Sequence, residues 1–247
     1  MSKKQQDKWS KSKNKIKKHN QILKPYQSTI DFEKFLKNNN LITKKTKHIV
    51  DIGTGIGSHL NYLSKKNYKL KFTGIDYSNS LIKCAKKLNN NPNIDFSVVD
   101  IMKKNKKRNL VNCDGVICIQ TFCCFKNSED PIKFMVSLKP KWIAINSLFY
   151  DGPLDVFIHI KDYEDLNTDK GGDGDFNIFS IQNISKKFKR YGYRLIKSDP
   201  YFPKKKIIRL KNKGRGSYTI KNKSIKNITF SGPVHLPWDF LIDKKIA

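Results

Sequence analysis

The chain has 247 residues, of which 50 are Lys or Arg and 21 are Asp or Glu, giving a formal net charge of +29. That length buries a complete core in one domain. No apolar run approaches the ~20 residues a bilayer span requires, and the lysine-rich start lacks the apolar middle of a secretory signal, so a cytoplasmic chain with no membrane span is expected.

Residues 1–22 carry many lysines and little apolar periodicity; they read as a solvated tail ahead of one domain over 23–247. Apolar residues at 26, 30, 32, 35 and 36 fit one face of a helix. From His48 the chain reads His-Ile-Val-Asp-Ile-Gly-Thr-Gly-Ile-Gly. The apolar run suits a parallel strand buried on both faces. The glycines allow a tight turn and let backbone approach a ligand with no Cβ in the way. A helix from about Ser58 to Lys66 and a return strand follow.

The second run, Phe-Thr-Gly-Ile-Asp, ends at Asp76, and the third, Ile-Asp-Phe-Ser-Val-Val-Asp, ends at Asp100. An acid closing the second strand is placed to take both hydroxyls of a bound ribose. Asp76 could equally cap the helix predicted up to Leu88. A fourth run extends from Cys113 to Gln120, after a basic loop at 103–108. Next come a helix over 130–138 with Pro131 near its start and a fifth strand over 142–149. The Gly-Gly-Asp-Gly-Asp stretch at 171–175 reads as a loop, too short and too poor in glutamate for a calcium site. A helix over 184–192 closed by Gly192, a strand over 193–197 and strand segments at 228–230 and 238–242 complete the series. Five cysteines, at 84, 113, 118, 123 and 124, match no zinc spacing, so no metal is expected.

Four strand ends in this order, three of them carrying an acid, resemble the class I S-adenosylmethionine-dependent methyltransferases over about residues 46–147. The dinucleotide fingerprint fits less well, because Ser58 stands where its third glycine belongs. The resemblance implies a Rossmann-like, doubly wound α/β sheet of seven strands, mostly parallel with an antiparallel last strand. It also implies S-adenosyl-L-methionine as cofactor. Asp51 and the loop of Gly53, Thr54, Gly55 and Gly57 would hold its methionine part, and Asp76 its ribose. Asp100 and Ile101 would meet the adenine, with Tyr77 and Gln120 completing the cofactor set. Cys123 lacks the preceding proline that marks the nucleophile of cytosine-5 methyltransferases.

Open parallel sheets bind ligands beyond the carboxyl ends of their strands. That rule puts Thr121, Phe122, Asn146 and Tyr150 on the acceptor side; the resemblance of the stretch Phe230 to Phe240 to surface-carbohydrate methyltransferases would add Trp238. A hydroxyl or ammonium acceptor must lose a proton, and Asp151, His159 and His235 are the candidate bases. Residues 150–180 and 203–227 read as acceptor-side additions. The stretches Asn-Ile-Phe-Ser from Asn177, Gly-Ser-Tyr-Thr from Gly216, and Phe230 to Phe240 resemble bacterial methyltransferases of surface-carbohydrate biosynthesis. The expected partner is therefore a small, anionic carbohydrate or other metabolite, methylated on oxygen or nitrogen. RNA, favoured by the charge, is the second acceptor class, and a non-catalytic cofactor-binding or scaffold subunit is the third reading. Against RNA, arginine stands only at positions 108, 190, 194, 209 and 215, and arginine forks suit phosphate and base recognition better than lysine does. The oligomeric state is left open.

Overall fold

The computed structural model describes residues 25–66, 69–103, 110, 112–165, 170–204, 206–208, 217–221, 227–231 and 238–245. The predicted tail at 1–22, most of the basic loop at 103–108, most of the 203–227 addition and His235 lie outside the described residues. Each apolar run of the first half forms a strand, and the returns after β1, β2 and β4 are helical. In chain order the elements are α1 (Gln27–Asn38), β1 (His48–Ile52), α2 (Ser58–Ser64), β2 (Lys71–Asp76), α3 (Asn79–Leu88) and β3 (Ile94–Val98). They continue with β4 (Gly115–Ile119), a 3-10 turn (Phe122–Cys124), α4 (Glu129–Ser137) and β5 (Trp142–Tyr150). The second half holds β6 (His159–Asp165), β7 (Lys170–Asp175), β8 (Phe179–Ser180), α5 (Ile181–Lys189) and β9 (Tyr193–Pro200). The strands β10 (Ser217–Lys221), β11 (Asn227–Ser231) and β12 (Trp238–Lys245) close the chain.

The main sheet runs β3-β2-β1-β4-β5-β12-β9, with β8 paired to the end of β5. β12 is antiparallel to both of its neighbours, so β9 runs with β1 to β5. This is the mostly parallel, Rossmann-like sheet with an antiparallel late strand that the sequence predicts. Alternation along each strand feeds two core layers. Ile49 and Ile117 face α1 and α2 with Phe32, Leu36 and Leu60, while Val50 and Val116 face α4 and α5 with Ile132, Met135 and Phe188.

Three local expectations change. The 171–175 stretch is a strand, because β6 pairs with it from His159↔Asp175 to Asp165↔Lys170 and satisfies its backbone groups. α5 begins at Ile181, where the Ser180 hydroxyl accepts the Asn183 N–H at 3.1 Å. α3 is capped by Ser78, whose hydroxyl accepts the Leu81 N–H, which leaves Asp76 for other work.

Asn177 ties the β6–β7 hairpin to the end of β4. Its N–H donates to the Cys123 carbonyl at 2.7 Å and its Nδ2 to the Phe125 carbonyl at 2.8 Å, while its Oδ1 accepts the Ile158 N–H at 2.9 Å. The residue is 2% exposed, so Asn177→Ala leaves buried groups unpaired. A loss of about 1–3 kcal/mol in urea denaturation is expected; parental stability in that variant would show the hairpin docks without it.

Candidate active site at the carboxyl edge of the sheet

β1 ends by bending away from the sheet. Gly53 and Thr54 donate their N–H groups to the Ile75 carbonyl at 2.9 and 3.0 Å, which pins the bend to β2. Gly53 has φ +73°, and a Cβ there would lie 2.3 Å from Thr121 Cγ2. At Gly55, φ +57°, a Cβ would meet nothing within 4 Å. One glycine therefore closes the bend against β4, and the other borders open space.

Asp51 lies under this bend at 1% exposure, and neither carboxylate oxygen has a hydrogen-bond partner. Burial pushes its pKa up to about 7; the nearby Thr54 hydroxyl, itself outside hydrogen-bonding geometry, opposes that rise and the Asp76 charge adds to it. A buried carboxylate without a donor is costly unless a cation or donor meets it. Asp76, at 7% exposure, accepts the Gly55 N–H on Oδ2 at 3.0 Å and the Ser78 N–H on Oδ1 at 2.9 Å. Burial raises its pKa, and the bonds from Ser78, Gly55 and Tyr77 hold that rise back. Tyr77 beside it is pushed up to about 12 by burial and then by the charges of Asp76, Cys124 and Asp100. β3 stops at Val98, so Asp100 sits in the following turn, accepting the Met102 N–H at 3.1 Å with Lys103 Nζ at 3.4 Å. Ile101 packs half-buried against the α4–α5 core layer.

The end of β4 completes the cradle. Gln120 has φ +56°, a left-handed conformation that costs a non-glycine residue energy and is held here by its neighbours. Its N–H donates to the Asn146 carbonyl at 2.7 Å and its Nε2 to Ser28 Oγ on α1 at 3.0 Å. The Thr121 hydroxyl donates to the Gly53 carbonyl at 3.3 Å. Phe122 does not belong to an acceptor surface. It is 0% exposed and packs edge-on against Phe125 and Phe179, with centroids 6.0 and 5.4 Å away. Asn146 is likewise 0% exposed, in register with Ile119 and Phe240 inside the sheet. Cys123 is fully buried, and burial pushes its thiol well above the ordinary value, which suits packing rather than nucleophilic attack.

Tyr150 and Asp151 are exposed where β5 leaves the sheet, followed by exposed Leu154 and Phe157. His159 is exposed at the start of β6, and its Nδ1 lies 3.3 Å from Asp175 Oδ1. The structure thus ties Gly53 to Thr121 and Gly55 to Asp76 by hydrogen bonds, with Asp51 buried at the end of β1 and Gln120 anchored to α1 and β5, and sets His159 apart in the hairpin. The backbone of Trp238 opens β12, and its side chain lies outside the described set.

Two supports escaped sequence reasoning. Ser28 reaches Gln120 across 92 positions of chain. Thr29 Oγ1 lies 2.7 Å from His59 Nδ1, and burial lowers that imidazole's pKa to about 4. Neither position carries a local signal, because a serine and a threonine in a first helical turn read only as caps. Among the described residues no group of three or more His, Cys, Asp or Glu is arranged to hold a metal, and no helix is long and apolar enough to cross a membrane.

Residues 49–139 match the family described as a methyltransferase domain, and this stretch contains the whole cradle from Asp51 to Thr121. These residues thus form a methyltransferase domain. A protein of Invertebrate iridescent virus 6 assigned by name to the methyltransferases, 235L, is 36% identical over 92 residues, 35% of this chain and 34% of its own length. The chain therefore spans about a third of that curated relative. Among solved structures, a Haloferax volcanii protein crystallised with the Trm112 methyltransferase activator superposes over 100% of both chains with TM-score 0.59 at 10% identity. The glycopeptide N-methyltransferase MtfA, solved with S-adenosylmethionine, superposes over 89% of this chain and 87% of its own with TM-score 0.55 at 11% identity. At such identities the likeness speaks for the methyltransferase fold alone.

Proposed function

We propose that this chain transfers a methyl group from S-adenosylmethionine to an oxygen or nitrogen of a small carbohydrate or other metabolite. The observation that carries the reading is the Asp51 carboxylate, buried without a partner under a glycine bend that borders open space. A cationic amino-acid head group would supply the missing counter-charge there. Asp76 would hold the ribose hydroxyls while keeping its backbone donors, and Asp100 with Ile101 would flank the adenine. Tyr77 and Gln120 would close the two ends of the cradle. The cofactor, when bound, supplies an electrophilic methyl group on a sulfonium.

The protein's part is then to place an acceptor atom in line and to receive its proton. Tyr150, Leu154 and Phe157 offer exposed apolar surface where the acceptor would approach. Asp151, His159 and His235 stay the candidate proton acceptors, and His159 is the one that faces a carboxylate, Asp175. Calorimetry with S-adenosylhomocysteine, followed by labelled-methyl transfer to a panel of sugars and amines, tests the proposal; no affinity for the nucleoside would end it. In an active preparation His159→Ala should lower kcat about 100-fold or more with cofactor affinity unchanged. Full turnover in that variant would move the proton to Asp151 or His235.

RNA stays the second acceptor class because of the +29 charge. The described carboxyl edge carries exposed Asp151 and Asp173 beside exposed Lys103, Lys126, Lys204 and Lys206, so its charge is mixed. Binding that weakens steeply with salt would favour RNA, and a mild response would favour a small acceptor.

A further inference from the structure

The positive charge gathers at the other end of the sheet. Parallel strands all start at one edge, and the helices that return to them end there, so residues before strands and after helices share a surface. Lys47 and Lys71 are joined there by the Lys71 N–H to Lys47 carbonyl bond at 2.8 Å, and Lys141 and Lys245 by the Lys245 N–H to Lys141 carbonyl bond at 3.2 Å. Asp114 links the two pairs, accepting the Lys47 N–H at 2.7 Å and lying 2.6 Å from Lys141 Nζ. Lys44 and Lys45 ride the tip of a turn closed by Thr43 and Thr46, with the Thr46 N–H on the Thr43 carbonyl at 3.1 Å. Lys69 precedes β2, and α3 ends on Lys86 and Lys87.

Little opposes this charge. Asp95 is matched by Lys71 at 3.0 Å and Asp114 by Lys141 at 2.6 Å. Lys44, Lys45, Lys47 and Lys69 are exposed and form no ion pair with a described residue. The described part of the band is mostly ammonium groups, joined by Arg194, exposed at the start of β9 in register with Lys244, and by the exposed Tyr191 just before it, while the exposed Leu154, Val156, Phe157 and Met102 lie toward the opposite edge. Among the described residues the band carries no cluster of exposed aliphatic side chains to wedge into a bilayer. Closely spaced lysines suit a run of phosphates read without regard to base.

We propose that the amino-terminal edge of the sheet docks nucleic-acid backbone, indifferent to sequence and separate from the methyl-transfer site. The inference does not depend on the acceptor. It predicts that the chain binds a short fluorescent RNA of mixed sequence in an anisotropy titration, with affinity falling linearly in log–log against salt. A combined Lys44→Gln, Lys45→Gln, Lys47→Gln and Lys69→Gln variant should lose at least tenfold in affinity at about 50 mM salt and show a shallower slope, by about 0.7–0.9 for each lysine engaged. Its S-adenosylhomocysteine affinity should equal the parent's, which shows that it is folded. A control with Lys103→Gln, Lys126→Gln, Lys204→Gln and Lys206→Gln removes the same charge from the other end and should lose less than threefold. Equal losses in the two variants, no RNA binding by the parent, or tighter binding to polyglutamate or to anionic lipid vesicles than to RNA would each overturn the assignment.

Discussion

Asp76→Ala is expected to weaken S-adenosylhomocysteine binding by one to two orders of magnitude, about 1.5–3 kcal/mol for charge-assisted hydrogen bonds lost. Of the two buried carboxylates of the cradle, Asp51 and Asp76, this is the one already held in place, by the Gly55 N–H at 3.0 Å and the Ser78 N–H at 2.9 Å. Both bonds fix its oxygens at the end of β2 and leave lone pairs for a ligand's hydroxyls. Its removal also frees the Gly55 N–H, so part of the loss reports a loosened bend. Asp76→Asn separates these effects, because an amide retains one acceptor oxygen while losing the charge. Calorimetry on both variants, with melting curves to confirm folding, gives the answer. An alanine variant that binds the nucleoside as tightly as the parent would remove Asp76 from the site.

The second large effect is a dependence of stability on pH carried by two buried acids. Asp51 and Asp243 are each 1% exposed with both carboxylate oxygens unpartnered, and burial pushes each up to about 7 from 3.8. An acid with a raised folded-state pKa holds its proton longer in the fold than in the unfolded chain. Its contribution is complete below about pH 4 and is lost as pH rises towards 7, by about 4 kcal/mol for each group at most. His59 works in the opposite direction. Its pKa is lowered to about 4 from 6.5, so its contribution is lost as pH falls through that range. The clean readout is therefore the difference between variant and parent. Asp243→Asn should be a few kcal/mol more stable than the parent in urea at about pH 8 and nearly equal to it at about pH 4, with cofactor affinity unchanged. Asp51→Asn should show the same stability gain and a weaker hold on the nucleoside, as expected where a site stores unfavourable charge for its ligand. A stability difference that stays flat with pH would show that these carboxylates are solvated or paired in solution.

The contrast between the two acids bears on function. Asp51 lies at the carboxyl end of β1, under the glycine bend and next to Asp76 in charge. Asp243 lies near the far end of β12, in register with Ile143 and Leu195 at a β-bulge. Burial treats them alike, and only Asp51 has the open space beside Gly55 from which a cation could reach it.

Local sequence was enough for the parallel half of the fold. Apolar runs ending at Asp51, Asp76 and Ile119 became β1, β2 and β4 because both faces of an inner parallel strand are covered, and such a strand has no polar face to disguise it. The glycine bend was equally legible, since the positive φ of Gly53, Gly55 and Gly57 is a property of the residue type itself. Contacts made across the chain were decided only in three dimensions. The Gly-Asp stretch at 171–175 became a strand through pairing with β6, and Phe122 went into the core because Phe125 and Phe179 surround it. Ser28 became a support for Gln120 because α1 packs over the end of β4. Composition supplied the lysines, and topology brought Lys44, Lys45, Lys47, Lys69, Lys71 and Lys141 together, since parallel strands with antiparallel return helices bring strand starts and helix ends to one edge.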